Sequence, residues 1–137
     1  MSDCIFCKIV SEEISSEKIY EDEYTMAFLD SMPSNPGHTL VIPKDHFENI
    51  YGLPDEDICR LMISVKKVAT AVKNGVDADG LNISMNNESA AGQVIFHAHI
   101  HIIPRFIEDG HKLFGHKPYK EGEAKKVAEK IRKELAS

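Results

Sequence analysis

The chain has 137 residues, 42% of them hydrophobic and 28% charged, enough for about one domain (residues 1–137) with a real core. Its formal net charge is −6, from 22 acids against 16 Lys plus Arg, which argues against DNA or RNA as a partner but leaves room for one locally positive nucleotide pocket. No apolar stretch reaches the ~20 residues of a membrane span, and Met1-Ser2-Asp3-Cys4 does not open a secretory signal; three cysteines, an odd number, then predict a reducing cytoplasm rather than a disulfide framework.

Ile5 to Val10 is short and apolar, a helical turn or an edge strand. Lys18–Asp22 and Tyr24–Asp30 read as two strands joined by a hairpin turn at Asp22-Glu23. Pro33 and Asn35-Pro36-Gly37 form a turn cluster, and Thr39–Pro43 is a compact apolar strand closed by its proline. A helix opens at Leu53-Pro54-Asp55, with acids complementing its N-terminal dipole. Ile58, Leu61, Met62, Val65, Val68, Ala69 and Val72 form its apolar stripe, Cys59 packs within it, and Asn74-Gly75 ends it. Leu81–Asn86 alternates as a strand, Ser89–Gly92 is a loop of small residues, and Glu121–Ala136 is an amphipathic helix with Val127, Ile131 and Leu135 on one stripe. Strands joined mostly by short connections, with two helices to cover them, predict an α+β fold on an antiparallel sheet.

Three imidazoles stand at alternate positions, His97, His99 and His101. Period two is the side-chain period of a strand, so all three are expected on one face and Phe96, Ala98, Ile100 and Ile102 toward a core. A neutral imidazole is a good nucleophile toward phosphorus, and one bearing N–H donates to phosphate oxygens. Gly92 permits close backbone approach to an anion, and Gln93 carries an amide that can donate to it. Cys4 and Cys7 form C-x-x-C, which admits a redox pair, two buried thiols, or half of a tetrahedral Cys2His2 zinc site. His111 and His116, beside Gly110 and Gly115, read as solvent-exposed.

His97-Ala98-His99-Ile100-His101-Ile102-Ile103 resembles the His-φ-His-φ-His-φ-φ signature of the histidine triad (HIT) family, with Ala98 as an apolar position. The resemblance covers most of the chain: Phe28-Leu29-Asp30, the run Pro36 to His46, and Asn86 with Ala91-Gly92-Gln93 follow in the family's order, closest to its bacterial Hint-like and diadenosine-polyphosphate-hydrolase-like branch. It implies a sheet of about five antiparallel strands with a long central and a C-terminal helix. It also implies a nucleotide hydrolase or nucleotidyl transferase that cleaves the α-phosphorus of a purine nucleoside phosphoramidate or dinucleoside polyphosphate through a covalent nucleotidyl-histidine.

By motif position the resemblance makes His99 the nucleophile, its other ring nitrogen held by the His97 carbonyl. It makes His101 and His38 phosphate contacts, Asp30 and Asn86 neighbours of the nucleoside, and Gly92 and Gln93 the phosphate lining. It further implies one structural zinc per chain on Cys4, Cys7, His46 and His97, and a homodimer. Two departures stand out: Val94 occupies a position where Hint-type proteins commonly carry Ser or Thr, and the chain has no Trp. Two other functions compete. In one, a metallohydrolase, His97, His99 and His101 jointly bind a catalytic metal; in the other, the fold is a non-catalytic nucleotide sensor.

Overall fold

A computed structural model describes residues 3–137; Met1 and Ser2, which belong to the N-terminus read above for a secretory signal, lie outside the described residues. Three helices, α1 (Ile5–Val10), α2 (Asp55–Gly75) and α3 (Glu123–Ala136), accompany five strands: β1 (Lys18–Glu21), β2 (Thr25–Leu29), β3 (Thr39–Pro43), β4 (Gly80–Ser84) and β5 (Ile100–Arg105). The strands form one sheet in the order β1-β2-β3-β5-β4, antiparallel at every pairing. The Asp22 carboxylate accepts the amides of Tyr24 and Thr25 (2.9 and 2.8 Å) and so fixes the first hairpin turn. No helix among the described residues is long and apolar enough to cross a membrane.

The sheet is covered on both faces, which explains why β3 reads as an unbroken apolar run and is buried throughout. On one face, Ala27, Val41, Ala98, Ile100 and Ile102 pack against Leu61, Val65, Val68, Ala69 and Val72 of α2. On the other, Met26, Phe28, Leu40 and Ile42 pack against Phe6 and Ile9 of α1. A six-residue helix cannot persist alone; α1 is held by these two side chains and by Cys4, whose sulfur accepts the Cys7 amide (3.3 Å) at its N-terminus. Gly37 is the one glycine whose replacement meets a wall: its φ is +94°, and an added Cβ would lie 2.9 Å from Val76 Cγ1.

Four expectations need correction. The histidine segment is not wholly strand: the ladder begins at Ile100, and Val41↔Ile100 is the last β3–β5 pair at that end. Beyond it β3 runs out at Pro43, which has no N–H, and the Ala98 amide turns to the Phe47 carbonyl (2.7 Å). Phe96 therefore escapes the alternation and is 37% exposed, while Ala98, Ile100 and Ile102 are in the core as expected. Cys59 is exposed, because it sits one helical step off the stripe that meets the sheet, and Met62 is half out of the core at 46% exposure. Helix α3 buries nothing: Ile131 and Leu135 of its stripe face outward.

Candidate active site and metal cluster

The described sheet face not fully covered by α1 opens into a cavity of about 980 Å³, large enough for a nucleotide. Ile5, Phe6 and Ile9 of α1 wall one side, Asp30, Asn86 and Gly92 contribute polar groups, and His99 and His101 stand on its floor. The imidazoles of His99 and His101 are 5.0 Å apart, centroid to centroid. Phe6 meets the His99 ring edge-on at 5.1 Å and the His97 ring at 5.9 Å.

The hydrogen bonds assign each ring its tautomer. His99 Nδ1 lies 2.7 Å from the His97 carbonyl, an acceptor, so Nδ1 carries the proton and Nε2 is bare. The Ser34 amide donates to His38 Nδ1 (3.0 Å), so the His38 proton sits on Nε2. His38 Nε2 is 2.9 Å from His101 Nδ1 and donates to it, which leaves the His101 proton on its own Nε2. Two neighbouring rings on one cavity floor thus have opposite polarity: His99 offers a lone pair, His101 an N–H.

Burial sets their charge. It pushes the His101 imidazole down to about 4, with the His99 and His38 rings adding to the effect. His99 and His38 are also lowered by burial, against which Asp30 favours the charged form of both and the His97 carbonyl that of His99. All three are therefore neutral at pH 7.

Two expected site residues have different jobs. Gln93 is buried, and its amide donates to the carbonyls of Glu48 (2.7 Å) and Ile95 (3.1 Å) while its oxygen accepts the Glu88 amide (2.8 Å). Both polar atoms of that side chain bond within the chain and brace the loop, and Gln93 does not line the cavity. His38 is 4% exposed and touches His101 rather than the cavity. Asp30 and Asn86 do line the cavity; Asp30 caps the Met32 amide (2.9 Å), and Asn86 leans on the Gly92 carbonyl (3.4 Å).

Chain folding separates the three alternate histidines. His97 turns away from His99 and His101 to meet Cys4 Sγ (3.4 Å), Cys7 Sγ (3.6 Å) and His46 Nδ1 (3.2 Å) through its Nδ1. A joint metal on His97, His99 and His101 is thereby ruled out: the donor groups that come together are Cys4, Cys7, His46 and His97, and separately Asp30, His38 and His101. The second group is a poor metal site, because a metal on His38 Nε2 would require its proton to leave while Nδ1 still accepts the Ser34 amide.

The first group fits a metal. His97 is fully buried, and its Nε2–H is committed to the Pro43 carbonyl (2.8 Å), the outer bond that orients a metal-binding imidazole. Its Nδ1 lone pair faces two sulfurs and a second imidazole nitrogen, all four donors within 4.8 Å of one another. With no cation, burial and the neighbouring Cys4 push the Cys7 thiol up to about 11; two sulfurs and two nitrogens around one point are the donor set of structural zinc.

Sequence reasoning missed Ser34, the Pro43 carbonyl and Phe6. The first two act through the backbone, which leaves no side-chain signature. Phe6 carried a signal, since it lies between Cys4 and Cys7, so any site that fixes both cysteines must also fix Phe6.

A family model described as HIT domain matches residues 11–108. The chain is 50% identical over 103 residues to Protein hit of Bacillus subtilis, covering 75% of this chain and 71% of that one. It is 39% identical over 132 residues to adenosine 5′-monophosphoramidase HNT1 of Saccharomyces cerevisiae (96% and 80% covered) and 36% identical over 140 residues to adenylylsulfatase HINT3 of Arabidopsis thaliana (99% and 71% covered). Among solved structures, a member of the HIT family from B. subtilis superposes with a TM-score of 0.91 at 43% identity, covering 98% of this chain and 99% of that one. A zinc-bound histidine triad family protein from Mycobacterium smegmatis superposes with a TM-score of 0.77 at 36% identity, with 99% of each chain covered.

Proposed function

The chain belongs to the HIT family, and on that premise we propose that it is a nucleotide hydrolase acting at the α-phosphorus through a nucleotidyl-His99 intermediate. The observation that carries this reading is the opposed polarity of His99 and His101. His99 Nε2 is unprotonated and already held in the attacking tautomer by the His97 carbonyl. It attacks the α-phosphorus, the bond to the leaving group breaks, and the electron pair departs with that group. His101 Nε2–H, fixed in direction by His38 and Ser34, donates to a phosphoryl oxygen as charge builds there. Water then attacks the phosphorus of the nucleotidyl-histidine, releasing the nucleoside monophosphate and restoring His99. Asp30 and Asn86 are the groups for the sugar, and the apolar wall of Ile5, Phe6 and Ile9 suits a purine ring. HINT3 and HNT1 are named for adenylyl sulfate and adenosine phosphoramidate, which share the nucleotide and differ in the group attached to it.

Cys4, Cys7, His46 and His97 would hold one zinc per chain. With four protein ligands it would be structural, tying α1 to the segment that carries His99. The protein is expected to be a cytoplasmic homodimer. Its three cysteines are free thiols, β4 is an edge strand with Ile83 exposed, and α2 turns Met62 and Ile63 outward beside it.

The test is trapping. Protein incubated with radiolabelled adenosine 5′-phosphosulfate or adenosine 5′-phosphoramidate and quenched in base should carry an acid-labile nucleotide on His99, and His99→Ala none. Tight AMP binding with no label and no turnover on either compound would leave the protein a sensor.

A further inference from the structure

His101 offers its Nε2–H only while the ring behind it keeps its own proton in place. If the His38 proton moved to Nδ1, His38 Nε2 would become an acceptor and His101 Nδ1 would have to donate to it. His101 Nε2 would then face the cavity as a second lone pair beside that of His99. Two groups bear on that choice. The Ser34 amide meets His38 Nδ1 directly (3.0 Å), and the Asp30 carboxylate, 3.6 Å from His38 Nε2, draws the proton there from a distance. The first is the hydrogen bond, and it comes from a backbone group whose direction depends on the turn that carries it.

That turn has little of its own to hold it. The Asp30 amide and the His38 carbonyl close its mouth (2.9 Å), and inside it the described backbone adds one hydrogen bond, from the His38 amide to the Asn35 carbonyl (3.0 Å). Pro33 and Pro36 have no N–H to contribute. Its conformation is fixed from outside, by the segment that follows β5. The Asn35 side-chain amide donates to the Pro104 carbonyl (2.8 Å) and to the Asp109 carboxylate (3.0 Å). His111 Nε2 lies 2.8 Å from the Ser34 carbonyl, an acceptor, and therefore donates to it.

His111 is itself seated. Asp109 accepts its amide (3.0 Å), and Arg105 donates to its carbonyl (3.0 Å) while paired with Asp109 (2.8 and 2.9 Å). No other hydrogen bond among the described residues reaches the Ser34 carbonyl. An exposed histidine thus grips the residue whose amide sets the tautomer of a buried one. His111 does not line the nucleotide cavity, so whatever it does there passes through Ser34 and His38.

Resting on the nucleotide-hydrolase reading above, we propose that His111 is a positioning residue: its bond to the Ser34 carbonyl keeps the Ser34 amide on His38 Nδ1, and so keeps the His101 proton on the nitrogen that meets the phosphoryl oxygen. The net worth of one neutral hydrogen bond limits the change in tautomer ratio to roughly two- to ten-fold. Asp30 still favours the original arrangement, so the response is graded.

The test reads tautomer and rate together. Long-range proton–nitrogen NMR of protein labelled with 15N-histidine, at pH 8 where the rings are neutral, should find the protons of His38 and His101 on Nε2 in wild type. His111→Ala should give a mixture at both rings, and so should Asn35→Ala, which frees the same turn by a different bond. His111→Gln, whose amide can donate to the same carbonyl, should restore the wild-type pattern. On adenosine 5′-phosphoramidate, kcat should fall roughly two- to ten-fold in step with the fraction of His101 that has lost its Nε2 proton, with KM nearly unchanged, and should recover in His111→Gln. Rings unmoved in both alanine variants overturn the proposal whatever the rate does, since a lower kcat alone would mark a merely structural role. A mixture that leaves kcat at the wild-type value overturns it too, as does a wild type with its His38 proton on Nδ1. No turnover and no label on His99 in wild type overturns the hydrolase reading and the catalytic role of His111 with it, whereas unmoved rings in an active enzyme overturn the positioning alone.

Discussion

Acidification from pH 8 to pH 5 provides a bounded test of the tautomer scheme. His99 must be neutral to attack, and burial holds it below its ordinary value of 6.5. Even at 6.5 itself, about 3% of His99 would remain neutral at pH 5 against about 97% at pH 8, a loss of about thirty-fold in reactive nucleophile. The structure therefore caps the fall in nucleotidylation rate at about thirty-fold and puts its midpoint below 6.5. His101, pushed down to about 4, is about one-tenth charged at pH 5 and contributes its N–H as a neutral donor throughout. Single-turnover quench experiments with labelled substrate, with metal content checked at each pH, should give a rate flat above 6.5 that declines with unit slope below it. A rate that climbs on acidification would mean that His101 acts as an imidazolium and would sink the assignment of His38 as its donor; a midpoint above 6.5 would do the same for the burial of His99.

Stability should follow a related curve with a different sign of argument. The unfolded chain holds His101 at its ordinary pKa and the folded one at about 4, so the unfolded state binds more protons in that window. The urea midpoint should be level above pH 6.5 and decline from there toward pH 4. His99→Ala should lower turnover on the order of 10³-fold or more without loss of fold, read as activity beside an unchanged circular dichroism melt. Cys7→Ser should abolish stoichiometric zinc by elemental analysis and lower Tm by several degrees, since each kcal/mol lost is roughly 3–6 °C in a chain of this size; unchanged Tm with no metal in either protein would dispose of the cluster. Gly37→Ala should cost about 1–3 kcal/mol by chemical denaturation, because a positive φ and the Val76 side chain both oppose a Cβ there.

Periodicity exposed most of the fold. The unbroken apolar runs of β2 and β3 and the 3.6-residue stripe of α2 follow from side chains facing a core, and, with the alternating β4, they appear in the structure within a residue or two at each end. Where periodicity failed, the cause lay elsewhere in the chain. Phe96 leaves the core because β3 ends at Pro43, a fact about a partner strand more than fifty residues earlier. The stripe of α3 has no surface to meet in the described chain. At the candidate site, motif spacing singled out His99, His101 and Asp30, which the structure brings to one cavity, but it could not distinguish a side chain facing that cavity from one facing its own loop. Gln93 and His38 sit beside the reacting groups in sequence or in space, yet their polar atoms are taken by Glu48, Ile95, Glu88, Ser34 and His101. The order of donors and acceptors that makes His99 basic and His101 a donor depends on the Ser34 amide and the His97 and Pro43 carbonyls, and backbone groups are the same in every residue.

His97 makes three bonds to three different parts of the molecule: its Nδ1 to the cysteine cluster, its Nε2 to the end of β3, and its carbonyl to His99. The first two depend on the side chain and the third does not. Mutagenesis at position 97 therefore cannot isolate the carbonyl's role, since any replacement empties the cluster and the Pro43 bond together and the main chain then shifts by an unknown amount. If the cluster holds zinc as proposed, exchanging the ion is the cleaner instrument: cobalt or cadmium in its place would alter the radius and polarisability at Nδ1 while the covalent structure stays untouched.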